Sequence, residues 1–256
     1  MSVALPGLEM VTWVAWVRLS WLGRVMSLWT SPPPDAPRRL ADLRVSYDAG
    51  TLDEADLADT PLAAFMAWFA QAEAVGLPEA NAMILATAEA SGAPSARTVL
   101  LKQADRRGFV LYTNLGSRKS RELATNPRAS LTFPWFAMHR QVCVVGDAEL
   151  IDRDEVAEYF HSRPRGSRIG AWASEQSTVI ADRSVIEDRY AALDERFGDD
   201  IPVPDFWGGW LLRPRTVEFW QGRTSRLHDR LRFRAASGAP SAMDDPTAWV
   251  LERLSP

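Results

Sequence analysis

The chain has 256 residues, enough for one large domain or two small ones, and its 46% hydrophobic and 24% charged content is that of a soluble globular protein. A net charge of −4 gives no overall attraction to nucleic acid or to an anionic membrane, so a phosphate group must be met by a local cluster of basic side chains. Cys143 is the only cysteine, which excludes an intrachain disulfide and fits a reducing, cytoplasmic setting. His139, His161 and His228 lack metal-ligand spacing, so no zinc site is expected.

Residues 11–22 (VTWVAWVRLSWL) are apolar but interrupted by Arg18, too short to span a bilayer and without a small-residue cleavage site. Trp13, Val17 and Trp21 would form a stripe on an amphipathic helix. The preferred reading is an upstream extension of a reading frame that starts at Met26, followed by the proline-rich linker Ser31–Pro37. Residues 1–40 are therefore set aside as an extension, and 41–256 is taken as one domain.

Thr60-Pro61 reads as an N-cap with proline at the first helical position, and Leu62, Phe65, Phe69 and Ala72 recur at helical spacing until Gly76. Short β-forming runs follow at Met83–Ala88, Ala96–Lys102, Gly108–Thr113, Ala129–Phe133 and Arg140–Ile151, bounded by turn pairs such as Ser91-Gly92 and Asn126-Pro127. Helical signals return at Asp154–Ser162, Ser167–Ala173 and Asp182–Phe197. Two strands, Trp207–Leu212 and Thr216–Trp220, and a last pair, Arg230–Ala235 and Trp249–Leu254, complete the chain. This order predicts an α+β domain built around an antiparallel barrel. No G-x-G-x-x-G or Walker motif is present, so a phosphorylated cofactor must be held by side chains projecting from strands.

Four polar clusters stand out. Arg97 and Lys102 bracket an apolar strand and, being five apart, fall on opposite faces unless the strand bulges or ends; alone, this is equally an edge strand with charged ends. Ser117-Arg118-Lys119, after Tyr112-Thr113, places two cations at a helix start with Ser117 as N-cap, either an anion site or a solvated helix end. Tyr159, Arg163 and Ser167 are spaced by four, but Pro164 divides them. Arg163 is expected to end one helix and Ser167 to lie near the start of the next, as a phosphate clamp or as surface packing. Arg226, His228 and Arg230 would share one side of an extended segment, and their mutual repulsion calls for an anion or electron-rich ring, or for a solvated face. Leu227 and Trp220 suggest partial burial there.

Taken together these strings resemble the pyridoxamine/pyridoxine 5'-phosphate oxidase family. The likeness runs from about Arg44 to Pro256 through Asn81–Met83, Arg97–Lys102, Phe109–Asn114, Ser117–Lys119, Arg140–Val142, Tyr159–Arg165, Ile169–Trp172, Gln176-Ser177, Trp207–Gly209, Glu218–Gly222 and Arg226–Arg230. It departs at Glu79-Ala80-Asn81, where the family frequently has proline in the middle. The resemblance implies a split β-barrel with peripheral helices that works as a homodimer with FMN at the subunit interface. It implies oxidation of pyridoxine or pyridoxamine 5'-phosphate by O2 to pyridoxal 5'-phosphate and hydrogen peroxide. By likeness, Arg97, Thr98, Val99, Leu100, Leu101, Lys102, Tyr112, Thr113, Arg118, Lys119, Gln141, Gln176, Ser177, Trp220 and Arg230 would hold FMN. Arg44, Tyr47, Lys102, Tyr159, Arg163, Ser167, Arg226, Leu227 and His228 would hold the vitamin, with Arg226 and His228 beside its reacting ring. Two other readings differ in kind: a related split-barrel flavoprotein with another substrate, which would lack the Arg226/His228 and Tyr159/Arg163/Ser167 sets, and a flavin-free carrier of pyridoxal 5'-phosphate.

Overall fold

Thr60 opens the first helix: its hydroxyl accepts from the Ala63 N–H at 3.3 Å, and Pro61 sits where no N–H is needed. The structure, a computed structural model, describes residues 43, 46, 47 and 50–256. Arg44 and the 1–40 extension lie outside the described residues. Helix α1 (Pro61–Ala74) buries Ala64, Phe65, Trp68 and Ala72 along one face. Phe65 meets Phe109 edge-on at 4.9 Å and Phe133 at 5.0 Å, which docks the helix on the sheet.

Among the described residues nine strands form one antiparallel sheet: β1 (Ala82–Ala88), β2 (Pro94–Leu100), β3 (Gln103–Asp105), β4 (Gly108–Asn114), β5 (Arg128–Trp135), β6 (Arg140–Leu150), β7 (Trp207–Gln221), β8 (Asp229–Ala235) and β9 (Trp249–Arg253). The order β2-β1-β5-β6-β7-β4-β3 carries β8 and β9 as a branch from β7. Side chains alternate, so Leu85, Leu131, Phe133, Val142, Val144, Val217, Phe219, Leu231 and Phe233 form the core under α1. The opposite face runs in register through Thr98, Ile84, Thr132, Cys143, Glu218, Arg232 and Glu252, all at least partly exposed. Helix α2 (Arg118–Thr125) follows β4, and α3 (Arg153–Ser162), α4 (Arg165–Ala173) and α5 (Ser184–Arg196) lie between β6 and β7. Val156, Phe160, Ile169, Ile201 and Trp207 make a second, smaller core there.

Two expectations need correction. The two strands expected at Trp207–Leu212 and Thr216–Trp220 are one, β7, which continues through Pro214. Proline has no N–H to give the ladder, and the structure absorbs it with a register shift at Val145/Gly146, so that Gly146 faces Pro214. A Cβ on Gly146 would run into the Arg213 carbonyl, so only glycine lets the strands approach. At this point β7 exchanges β4 for β8 as its second partner. The short strand β3 was not expected, and the run expected at Ala96–Lys102 ends at Leu100.

Phe65→Ala is expected to cost about 3–5 kcal/mol of unfolding free energy by leaving a cavity between α1 and the sheet. Urea denaturation followed by tryptophan fluorescence checks this.

Candidate active site

Lys119 is the centre of the first anion-seeking group. Its side chain projects from the first turn of α2 and is only 7% exposed. The ammonium donates to Thr113 Oγ1 (3.0 Å), Ser117 Oγ (3.2 Å) and Gln176 Oε1 (3.1 Å), none of them a carboxylate. Burial, and then the nearby Arg97 charge, push its pKa down to about 8. Ser117 holds the N-cap position but makes no capping bond; its hydroxyl serves Lys119 and Ser120 instead. Ser177, with a left-handed backbone (φ 72), accepts from the Arg118 N–H at 3.2 Å.

Lys119 lines a cleft of about 910 Å³ that also takes in Arg97, Thr98, Val99, Leu100, Lys102, Tyr112, Thr113, Gln176 and Ser177. Arg97 and Lys102 reach the same cleft because β2 ends at Leu100, which frees Lys102 from strand alternation. Leu101 does not: it is buried in the core, with its N–H donating to the Asn81 carbonyl at 2.9 Å. The Arg118 guanidinium is outside the lining and turns to Glu122, its Nε donating to Oε1 at 2.8 Å.

The other end of the cleft is formed by Tyr159, Arg163, Pro164 and Ser167. Arg163 caps the end of α3 and Ser167 lies in the first turn of α4, with Pro164 at the break between the two helices. Tyr112 and Tyr159 stack at 4.0 Å, and Tyr112 lies parallel to Trp207 at 5.6 Å. The Arg163 guanidinium sits 4.9 Å from the Trp207 ring centroid. Its Nη1 is buried without a hydrogen-bond partner, which is costly unless a ligand supplies an acceptor. Burial raises the Tyr112 phenol to about 12, so it stays protonated.

Among the described residues, the remaining expected ones do not line this cleft. Gln141, Trp220 and Arg230 stand in one cross-strand row over β6, β7 and β8. Beside it Trp220 and His228 lie 4.7 Å apart, and Tyr47 sits over both at 5.9 and 5.7 Å. Gly222 makes room for Tyr47: a Cβ there would lie 2.9 Å from its ring. The Arg223 N–H donates to His228 Nδ1 at 3.0 Å, which places the ring proton on Nε2.

The extended segment expected for Arg226–Arg230 is only partly extended. Thr224–Arg226 is a 3₁₀ turn with Ser225 and Arg226 at positive φ (57 and 61), and the strand begins at Asp229. The expected repulsion is also relieved, since Arg230 pairs with Glu218 at 2.8 Å and Arg223 with Asp229 at 2.9 Å. Leu227 is 69% exposed rather than partly buried. Sequence reasoning missed Glu122, whose helical spacing of four from Arg118 was a usable signal, and the cleft residues Asn114, Ser174 and Trp207. Among the described residues no cluster of metal-ligating side chains occurs, and no helix is long and apolar enough to cross a membrane.

Comparison with known proteins accounts for this arrangement. Residues 69–196 match the family described as pyridoxamine 5'-phosphate oxidase, and residues 207–256 match the pyridoxine 5'-phosphate oxidase C-terminal dimerisation region. The chain belongs to the pyridoxamine 5'-phosphate oxidase family. It is 54% identical over 219 residues to a pyridoxine/pyridoxamine 5'-phosphate oxidase of Salinispora arenicola (84% of this chain, 96% of that one). A protein of the same name from Burkholderia multivorans is 54% identical over 217 residues (85% and 99%). In three dimensions the chain is similar to PhzG from Burkholderia lata 383, solved with tetrahydrophenazine-1-carboxylic acid, at a TM-score of 0.72 and 28% identity (83% of this chain, all of that one). The curled antiparallel sheet is thus the split barrel that the family resemblance implied.

A buried ammonium without an acid destabilises the ligand-free protein. Because folding lowers the Lys119 pKa from 10.5 to about 8, its stability contribution improves as pH rises between those values. Lys119→Met is therefore expected to raise the urea midpoint of the ligand-free protein at pH 7 while weakening its binding of inorganic phosphate. Native phosphate affinity is expected to fall as pH rises through about 8, which calorimetric titration would follow.

Proposed function

We propose that this chain binds FMN and oxidises pyridoxine or pyridoxamine 5'-phosphate with O2 to pyridoxal 5'-phosphate and hydrogen peroxide, as a homodimer. One observation carries the reading: a single cleft holds two separate anion-seeking centres, the buried Lys119 and the half-buried Arg163 with its orphaned Nη1, neither with a carboxylate partner. A phosphorylated cofactor and a phosphorylated substrate provide one anion for each. FMN, when bound, supplies the electron acceptor.

The chain's own residues then divide the work. Arg97, Lys119, Thr113, Gln176 and Ser177 would take the cofactor from within the cleft, and Arg118 from outside its lining, with Thr98, Val99 and Leu100 along the cofactor's edge; Leu101 acts only through the core. Lys102, Tyr159, Arg163 and Ser167 would hold the vitamin phosphate and so fix the reacting carbon, an orientation effect. Gln141, Trp220 and Arg230, with Tyr47, Arg226, Leu227 and His228, would complete the cleft of a second protomer. Their absence from the protomer's own cleft supports this, as does the match of residues 207–256 to a dimerisation region. Arg226 is exposed and ready to meet an electron-rich ring, while His228 presents Nε2–H as a hydrogen-bond donor.

A second reading, a split-barrel flavoenzyme acting on a different ring system, is favoured by the likeness to PhzG. The Tyr159/Arg163/Ser167 clamp and the 54% identity to proteins named for the vitamin phosphates weigh against it. Turnover of pyridoxine 5'-phosphate under air, with hydrogen peroxide formed in equal amount, tests the choice; a yellow protein that leaves this substrate untouched favours the second reading.

Arg163→Ala is expected to lower kcat/KM for the phosphorylated substrate about 10- to 150-fold, from the loss of one charge-assisted contact, and to leave flavin content unchanged. The shared site has its own check. Arg163→Ala and Arg226→Ala are each expected to be impaired, and co-expressing them is expected to restore activity, because one site of a mixed dimer is intact. Failure of restoration would place both residues in one protomer's site.

A further inference from the structure

Glu122 is a buried carboxylate that the proposed chemistry does not use. It lies on the second turn of α2, is 3% exposed, and reaches over the edge of β1 and β2. Four groups donate to it: Thr87 Oγ1, Ser95 Oγ at 2.6 Å, Arg118 Nε at 2.8 Å and Arg97 Nη2 at 3.4 Å. Burial opposes its ionisation, but the bonds from Ser95, Thr87 and Arg118 outweigh burial and draw its pKa down to about 2. The carboxylate is therefore charged at every working pH. Thr87 and Ser95 face each other across β1 and β2, so the acid is fixed to the sheet as well as to the helix.

We propose that Glu122 is a positioning residue for the cofactor phosphate, holding the guanidinium groups of Arg97, in the cleft lining, and of Arg118, outside it, in place beside the Lys119 anion site. This rests on the FMN reading above. Three observations support it. Arg97 and Arg118 come from different elements and share this one carboxylate. The Arg118 side chain is 53% exposed, so without Glu122 it would lose rotamer freedom on binding; fixing it beforehand lowers that cost. Arg97, Arg118 and Lys119, against Glu122 and the Glu89 that pairs with Arg118 at 3.5 Å, leave one net positive charge for an anion such as a phosphate.

The sign of one substitution separates positioning from simple electrostatics. Glu122→Gln keeps the shape but removes a negative charge near the phosphate. Electrostatics alone predicts tighter FMN binding; loss of positioning predicts weaker binding, because a neutral amide oxygen holds the two arginines less firmly.

The test uses the full-length protein stripped of flavin, titrated with FMN and with riboflavin, which lacks the phosphate, and followed by flavin fluorescence. Native protein is expected to prefer FMN strongly. Glu122→Gln is expected to lose about tenfold or more in FMN affinity, with riboflavin affinity unchanged. In an Arg118→Ala background the same substitution is expected to cost less, since part of its route is already gone. Unchanged or tighter FMN binding overturns the proposal, as does an equal loss for both flavins, which marks a purely structural role. If Glu122→Gln fails to fold, Arg118→Ala alone carries the test: an undiminished preference for FMN over riboflavin overturns it. A native chain that binds neither flavin refutes the cofactor reading itself and takes this inference with it. That result is distinct from a native preference for FMN that ignores position 122.

Discussion

A proline in the middle of a fifteen-residue strand sets the plan of the molecule. At Pro214 the ladder loses a donor, and the partner strand β6 answers with a register shift that brings Gly146 opposite. Before this point β7 pairs with β4, the strand whose Tyr112 and Thr113 line the cleft. After it β7 pairs with β8 and carries the Gln141–Trp220–Arg230 row. The same strand thus supports both groups of candidate residues. Because both depend on one register, a slip would move Trp220 to the core face and displace the cleft residues as well.

Charge is distributed against the overall balance. The chain carries a net −4, yet its cleft collects Arg97, Lys102, Lys119 and Arg163. Several arginines outside the cleft are paired: Arg107 with Asp105 and Glu155, Arg215 with Asp147, and Arg253 with Asp53, Glu54 and Asp229. Such exposed pairs add little stability, but they offset part of the surface charge, while Lys102, Lys119 and Arg163 in the cleft have no acidic partner among the described residues.

How much of this was legible in the sequence follows from the range of the forces involved. Thr60-Pro61 and the spacing of Phe65 and Ala72 predict α1 because capping and helical periodicity act within a few residues. The Arg163-Pro164 break between two helices was legible on the same ground. The continuity of β7 was not, since Arg213-Pro214-Arg215 looks like an end until Gly146, far away in the chain, is seen to absorb it. The left-handed turn at Ser225-Arg226 carries no glycine to announce it, so alternation wrongly extended the strand. Glu122 had the right spacing from Arg118, but nothing local says that the carboxylate is buried beneath Thr87 and Ser95. The division of the expected ligands between a cleft and a separate cross-strand row is a property of tertiary placement, which a linear motif does not encode.

The Lys119 ammonium, which has no carboxylate partner, would have a consequence at the scale of the cell. An anion seated against it stabilises only the folded chain, so the folded fraction rises with ligand supply by mass action. Chains made when that ligand is scarce spend more time open, where proteases and chaperones compete for them. On the proposed reading, turnover of the polypeptide would be coupled to availability of the cofactor. Scarcity would be registered first as fewer molecules of the protein, and not as a standing pool of empty ones.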